Sequence, residues 1–195
     1  MNKKPDFRRI ALIGAGLIGG SLARVIRREK LAQTVIAYSR NPATRQRIRE
    51  LGFVDSVAED IPTAVANADL VIVSVPVGAS GAVAQAMAAH LMPGTIVTDT
   101  GSVKQAVIDA VIPNLPSGVH FVPGHPIAGT ENTGPDAGFD TLFEGRWCIL
   151  TPPEGTSENA IATVTNIWKR AGSRVDRMSA AHHDMVLAIT SHIPH

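Results

Sequence analysis

Three groups of residues in this chain have the types and spacing to do chemistry. The first is Gly14-Ala-Gly16-Leu17-Ile18-Gly19, which closes the apolar run Arg9-Ile-Ala-Leu-Ile13 and passes directly into a helix-like segment. Gly14 lets the chain turn tightly off a strand, Gly16 lets backbone approach a pyrophosphate, and Gly19 lets helix and strand pack closely. Leu17 and Ile18 then open a helix whose free N–H groups and dipole favour bound phosphate. A plain structural turn is the alternative in a chain with 17 glycines. Context favours the dinucleotide reading over it: a buried-strand run precedes the motif, and no proline interrupts the helical pattern through Lys30.

The second group lies at strand ends, where open α/β sheets bind ligands. The strand Thr34-Val-Ile-Ala-Tyr-Ser39 ends in Ser39-Arg40, where a dinucleotide site commonly has a carboxylate for the ribose hydroxyls. A guanidinium there suits a 2′-phosphate, so the expected cofactor is NADP or NAD, with Arg40 stacking on adenine or facing water as the bland alternative. Val73-Ser-Val75-Pro76 and Asp99-Thr100-Gly-Ser102 are two further ends, with Val75, Pro76 and Thr100 expected beside the cofactor.

The third group is histidines. His125, in Gly124-His-Pro-Ile-Ala-Gly-Thr130-Glu131, follows a strand-like run and has a side chain whose ordinary pKa suits proton acceptance near neutral pH. Gly124, Pro126 and Gly129 make the segment read as a rigid turn around that ring. A structural histidine is the alternative. The run His182-His183-Asp-Met-Val-Leu-Ala-Ile-Thr-Ser-His192-Ile-Pro-His195 could place His192 and His195 on one helix face, but no carboxylate or cysteine completes a ligand set, so pocket lining is expected and metal is not.

The elements that must position these residues alternate between strand-like and helical patterns, the signature of a parallel sheet covered on both faces. Strands are expected near 7–13, 34–39, 69–75, 95–99, 119–123 and 146–151, with a short one around 54–57. Helices are expected near 17–30, 42–51, 60–67, 79–91, 103–112 and 157–171. A strand-like Ser173–Met178 and a helical segment from Ser179 follow. The fold class is therefore α/β, a doubly wound, mostly parallel Rossmann-type sheet over residues 1–178, with a helical domain beginning at 179–195.

Composition agrees: at 195 residues, 45% hydrophobic and 18% charged, the chain can bury a substantial core. A formal net charge of +1 gives no electrostatic reason for nucleic acid or an anionic membrane as partner. Arg24, Arg27 and Arg28 read as a solvated helix face. The single cysteine, Cys148, forms no internal disulfide and sits in a strand-like run, as a core residue would. With no signal-type segment after Met1-Asn-Lys-Lys-Pro-Asp, the expected compartment is the cytoplasm.

Together, Gly14-Ala-Gly-Leu-Ile-Gly-Gly-Ser, Asp99-Thr-Gly-Ser-Val-Lys104, Gly124-His-Pro-Ile-Ala-Gly-Thr-Glu131 and Ser191-His-Ile-Pro-His195 resemble the prephenate/arogenate (cyclohexadienyl) dehydrogenases of tyrosine biosynthesis. The first segment is shared by many dehydrogenases; the other three in this order are specific. The resemblance implies NAD(P)-dependent oxidative decarboxylation of prephenate, arogenate or both. It implies that His125 accepts the proton or a hydrogen bond from the ring hydroxyl and that Ser102 orients it. Thr130, Glu131, His192 and His195 would line the substrate pocket. Ser102 could instead be a helix N-cap, and Glu131 a surface charge. The resemblance further implies continuation into a helical domain carrying dimer contacts and a carboxylate-binding arginine, hence a homodimer, and exposure of Met185, Val186 and Ile189 where such a domain is missing. A β-hydroxyacid-type reductase and a non-catalytic dinucleotide-binding module are the competing readings.

Overall fold

The computed structural model describes residues 5–191. Its first strand, β1 (Phe7–Ile13), is almost wholly buried because it lies in the middle of a parallel sheet covered on both faces. Its side chains therefore alternate between two cores: Ile10 and Leu12 join one, Ala11 and Ile13 the other. The remaining strands of this sheet are β2 (Ala32–Tyr38), β3 (Ser56–Val57), β4 (Leu70–Val73), β5 (Ile96–Asp99) and β6 (His120–Val122). The order is β3-β2-β1-β4-β5-β6, and every pairing is parallel. The chain runs outward from β1 to β3 and then returns to β4 on the other side of β1. That reversal opens a crevice at the carboxyl ends of β1 and β4.

Helices cover both faces. α1 (Leu17–Arg28) and α6 (Glu158–Arg170) pack on the first core through Leu22, Ile26, Val164 and Trp168. α3 (Ile61–Val65), α4 (Ser80–Met87) and α5 (Lys104–Val111) pack on the second through Val65, Met87 and Val107. Local signals set several helix starts. Asn41 caps α2 (Pro42–Leu51) by accepting from the Ala43 amide at 2.8 Å, and Asp60 caps α3 by accepting from the Thr63 amide at 2.7 Å.

Two expectations need correcting. Residues 119–126 are not one strand followed by a turn. β6 ends at Pro123, which has no N–H to continue the ladder, and the chain re-forms as β7 (Gly124–Pro126). β7 pairs antiparallel with β8 (Trp147–Leu150), which pairs in parallel with β9 (Arg174–Arg177), so the last strands form a separate three-stranded sheet rather than an extension of the first. His125 thus lies in a strand, opposite Ile149.

The basic residues of α1 are also not simply solvated. Arg24 stacks on Phe53 and donates to Gly20 O and Pro135 O, Arg27 bonds Gly52 O, and Arg28 bonds Asp140. With Phe139 N donating to Ser21 Oγ at 3.0 Å, Arg24 and Arg28 fasten the 135–140 loop onto α1. The last described helix, α7 (Ala180–Ser191), leaves Met185 and Ile189 exposed and Val186 half-buried. Cys148 is fully buried, and burial pushes its thiol pKa up. No helix among the described residues is long and apolar enough to cross a membrane.

Candidate active site

Gly14 sits at φ +94°, and a Cβ on it would lie 2.2 Å from Ser74 O, so both backbone conformation and the neighbouring strand end require glycine. A Cβ on Gly19 would lie 2.2 Å from Gly14 O, which fixes how closely α1 crosses the β1 turn. Gly16 differs: nothing stands within 4 Å of where its Cβ would be. It is the N-cap of α1, no side chain caps that helix, and its first turn holds no acidic residue. The amides of Leu17 and Ile18 are therefore open to an anion at a helix N-terminus. An open, uncapped helix N-terminus of this kind fits a pyrophosphate.

A cleft of about 470 Å³ begins there. Gly16, Leu17, Ile18, Val75, Pro76 and Thr100 line it, together with Ser102, His125 and Thr130. Ser74 Oγ and Thr100 Oγ1, 2.9 Å apart, tie the ends of β4 and β5 together in its floor. Gly14 N donates to Tyr38 O at 2.9 Å, which places Ser39 and the exposed Arg40 beside the glycine turn though outside the cleft lining. Glu131 is exposed between Thr130 and Asn132, both of which line the cleft, and does not itself line it. His192 and His195 lie outside the described residues. A wider cleft of about 930 Å³, lined by Phe7, Arg8, Asp69 and Ile96, opens at the amino ends of the strands. It lacks the glycine turn, and ligands of such sheets bind at the carboxyl ends, so the smaller cleft is the functional candidate.

Beneath His125 lies a buried ion pair that sequence reasoning missed. Lys104 Nζ is 2.5 Å from Asp99 Oδ2 and donates to Gly124 O at 2.7 Å, while Asp99 Oδ1 accepts from Gly124 N at 3.2 Å. Burial pushes the Asp99 carboxyl up and the Lys104 ammonium down in pKa, and their contact opposes both shifts. The pair grips the peptide groups of the residue before His125 and so locks β7 onto the end of β5. The sequence signal was available: a lysine five residues after a strand-end aspartate, on the inward face of a short helix.

Ser102 is not an N-cap. Val103 occupies that position, and α5 is capped from a distance by Asp184, whose Oδ1 and Oδ2 accept from Lys104 N at 2.8 Å and Gln105 N at 2.9 Å. Ser102 stays exposed in the cleft. Asp184 also lies 2.7 Å from His183 Nδ1, and His183 Nε2 lies 2.9 Å from His125 Nδ1. The two imidazoles meet edge to face with centroids 5.1 Å apart, and His183 is fully buried. Burial of His125, followed by the nearby His183 and Lys104, pushes its pKa down to about 4, so its ring is neutral at pH 7 and able to accept a proton. Burial would raise the Asp184 carboxyl, but the two amides and the His183 ring outweigh it and hold it below the usual carboxylate range.

Residues 22–177 match the family model of the prephenate dehydrogenase nucleotide-binding domain. A cyclohexadienyl dehydrogenase of Zymomonas mobilis is 50% identical over 97% of this chain and 64% of its own length. A prephenate dehydrogenase of Bacillus subtilis is 34% identical over 100% of this chain and 52% of its own. The crystal structure of an A. aeolicus prephenate dehydrogenase in complex with hydroxyphenyl propionate and NAD+ superposes with a TM-score of 0.89 at 32% identity, covering 97% of this chain and 66% of that one. The chain thus spans between about half and two thirds of the length of these relatives.

Proposed function

The chain belongs to the prephenate dehydrogenase family, and from that premise we propose that it carries the dinucleotide site and the proton acceptor of an enzyme that oxidatively decarboxylates prephenate, arogenate or both. The observation that supports this best is that His125 and Ser102 share one cleft with the open N-terminus of α1. When bound, a nicotinamide dinucleotide supplies the hydride acceptor. The chain's own residues do the rest. Leu17 and Ile18 amides hold the pyrophosphate, and Val75, Pro76 and Thr100 wall the space next to it. His125 takes the ring hydroxyl's proton as the carbinol C–H leaves as hydride, and Ser102 orients that hydroxyl. The C–CO2 bond then breaks, the ring becomes aromatic, and the proton held by His125 returns to the phenolate oxygen, so the proton count closes.

Arg40 beside the glycine turn makes NADP an acceptable cofactor along with NAD. Thr130 and Glu131 border the substrate, with His192 and His195 as further pocket residues. The same reading gives a cytoplasmic homodimer whose contacts come from a C-terminal helical domain beginning at residue 179. The test is reduction of NAD and of NADP by the full-length protein with prephenate and then arogenate, repeated with His125→Asn. Turnover with either substrate, cut about a thousandfold in the variant with dinucleotide affinity unchanged, is the expected result. A wild-type protein that binds dinucleotide and turns over neither substrate would overturn the reading.

A further inference from the structure

Among the described residues, the side-chain hydrogen bonding of His125 runs to His183 and from there to Asp184. An ionised carboxylate can only accept hydrogen bonds. Asp184 already accepts from the amides of Lys104 and Gln105, so the His183 nitrogen 2.7 Å away, Nδ1, must be the donor. A neutral His183 then has a lone pair at Nε2, and the group facing it at 2.9 Å, His125 Nδ1, must donate in turn. That leaves the His125 lone pair on Nε2, the ring nitrogen still available to a molecule in the cleft. The 2.9 Å contact between the two ring nitrogens needs one lone pair, so the two imidazoles cannot both carry a second proton. The groups facing this pair are Lys104 and Asp99 from α5 and β5 and Asp184 from α7.

We propose that His183 is a positioning residue that holds His125 in the Nδ1–H tautomer and, with Asp184, forms a relay that takes up positive charge when His125 accepts a proton. The proposal rests on the function assigned above. In the step, the substrate O–H bond breaks and a His125 Nε2–H bond forms. The His125 Nδ1–H then bonds more strongly to His183 Nε2, whose own Nδ1–H bonds more strongly to the Asp184 carboxylate. No proton leaves the chain of three groups, and the dinucleotide is the oxidant. The helix end contributes as well, because the α5 amides help hold Asp184 ionised. His183 touches neither substrate nor cofactor in this scheme and acts only through His125.

Two measurements on the full-length protein test this. Long-range proton–nitrogen NMR correlations on 15N-histidine-labelled enzyme at pH 7 should show both His125 and His183 as Nδ1–H tautomers; an Nε2–H tautomer at His125 overturns the proposal. In kinetics, His183→Leu removes the acceptor and should lower kcat about a hundredfold with KM values within about twofold, while His183→Gln, whose Oε1 can stand in for Nε2, should recover to within about tenfold. The acid limb of the kcat profile should move in both variants. Equal losses in both, carried in KM and with an unmoved profile, would reduce His183 to packing and overturn the relay. If His183→Leu fails to fold, the glutamine variant and the tautomer assignment still decide. A wild-type enzyme without turnover refutes the function and leaves the tautomer measurement to judge the relay alone.

Discussion

Among single residues, the glycines separate by what their missing Cβ would meet. Gly19→Ala puts a methyl against Gly14 O and Ser74 and should cost about 1–3 kcal/mol of stability, seen as a lower urea midpoint. Gly16→Ala meets only open space, so its thermal midpoint should stay unchanged while dinucleotide affinity falls at least about tenfold, measured by calorimetry. Loss of stability in the second variant would contradict a phosphate role. At Lys104, replacement by Met strands the Asp99 charge in a fully buried site. The expected loss is about 3–5 kcal/mol in chemical denaturation, because breaking one side of a buried pair leaves an uncompensated charge.

Elements were legible where the chain's own pattern decides them. The apolar run before Gly14 marks β1 from local chemistry alone. Ser102 shows where this stops. It has the right residue type beside α5, yet the cap comes from Asp184, eighty positions along the chain from Lys104, and no local rule reports a tertiary cap. The same holds for His183, one of several histidines in its run until folding brings it against His125. Strand β7 was missed because Gly124, Pro126 and Gly129 read as a turn, and its pairing with β8 is a tertiary contact that no local pattern reports. Since α5 depends on that distant carboxylate, Asp184→Ala should lower stability by about 1–2 kcal/mol and fray Lys104 and Gln105 first.

Over the whole molecule, the two faces of the parallel sheet hold separate cores, and the crevice between β1 and β4 receives groups from both. Such a site is sensitive to pH through stability as well as chemistry. The His125 pKa is about 4 in the folded chain and near 6.5 when unfolded, so between these values the unfolded chain binds more protons. Its contribution is present in full above about pH 6.5 and is lost as pH falls toward 4. Allowing for partial solvent screening, wild type should lose about 1–2 kcal/mol more than His125→Asn between pH 7 and 4.5, read from urea curves.

The dipeptide His183-Asp184 holds the His125 ring with one side chain and a helix end with the other. Any loosening of α7 is therefore felt in both places together. The amide hydrogens of Lys104 and Gln105 become a gauge of the site: their exchange with solvent deuterium reports, with no substrate or cofactor present, what fraction of molecules has His125 anchored.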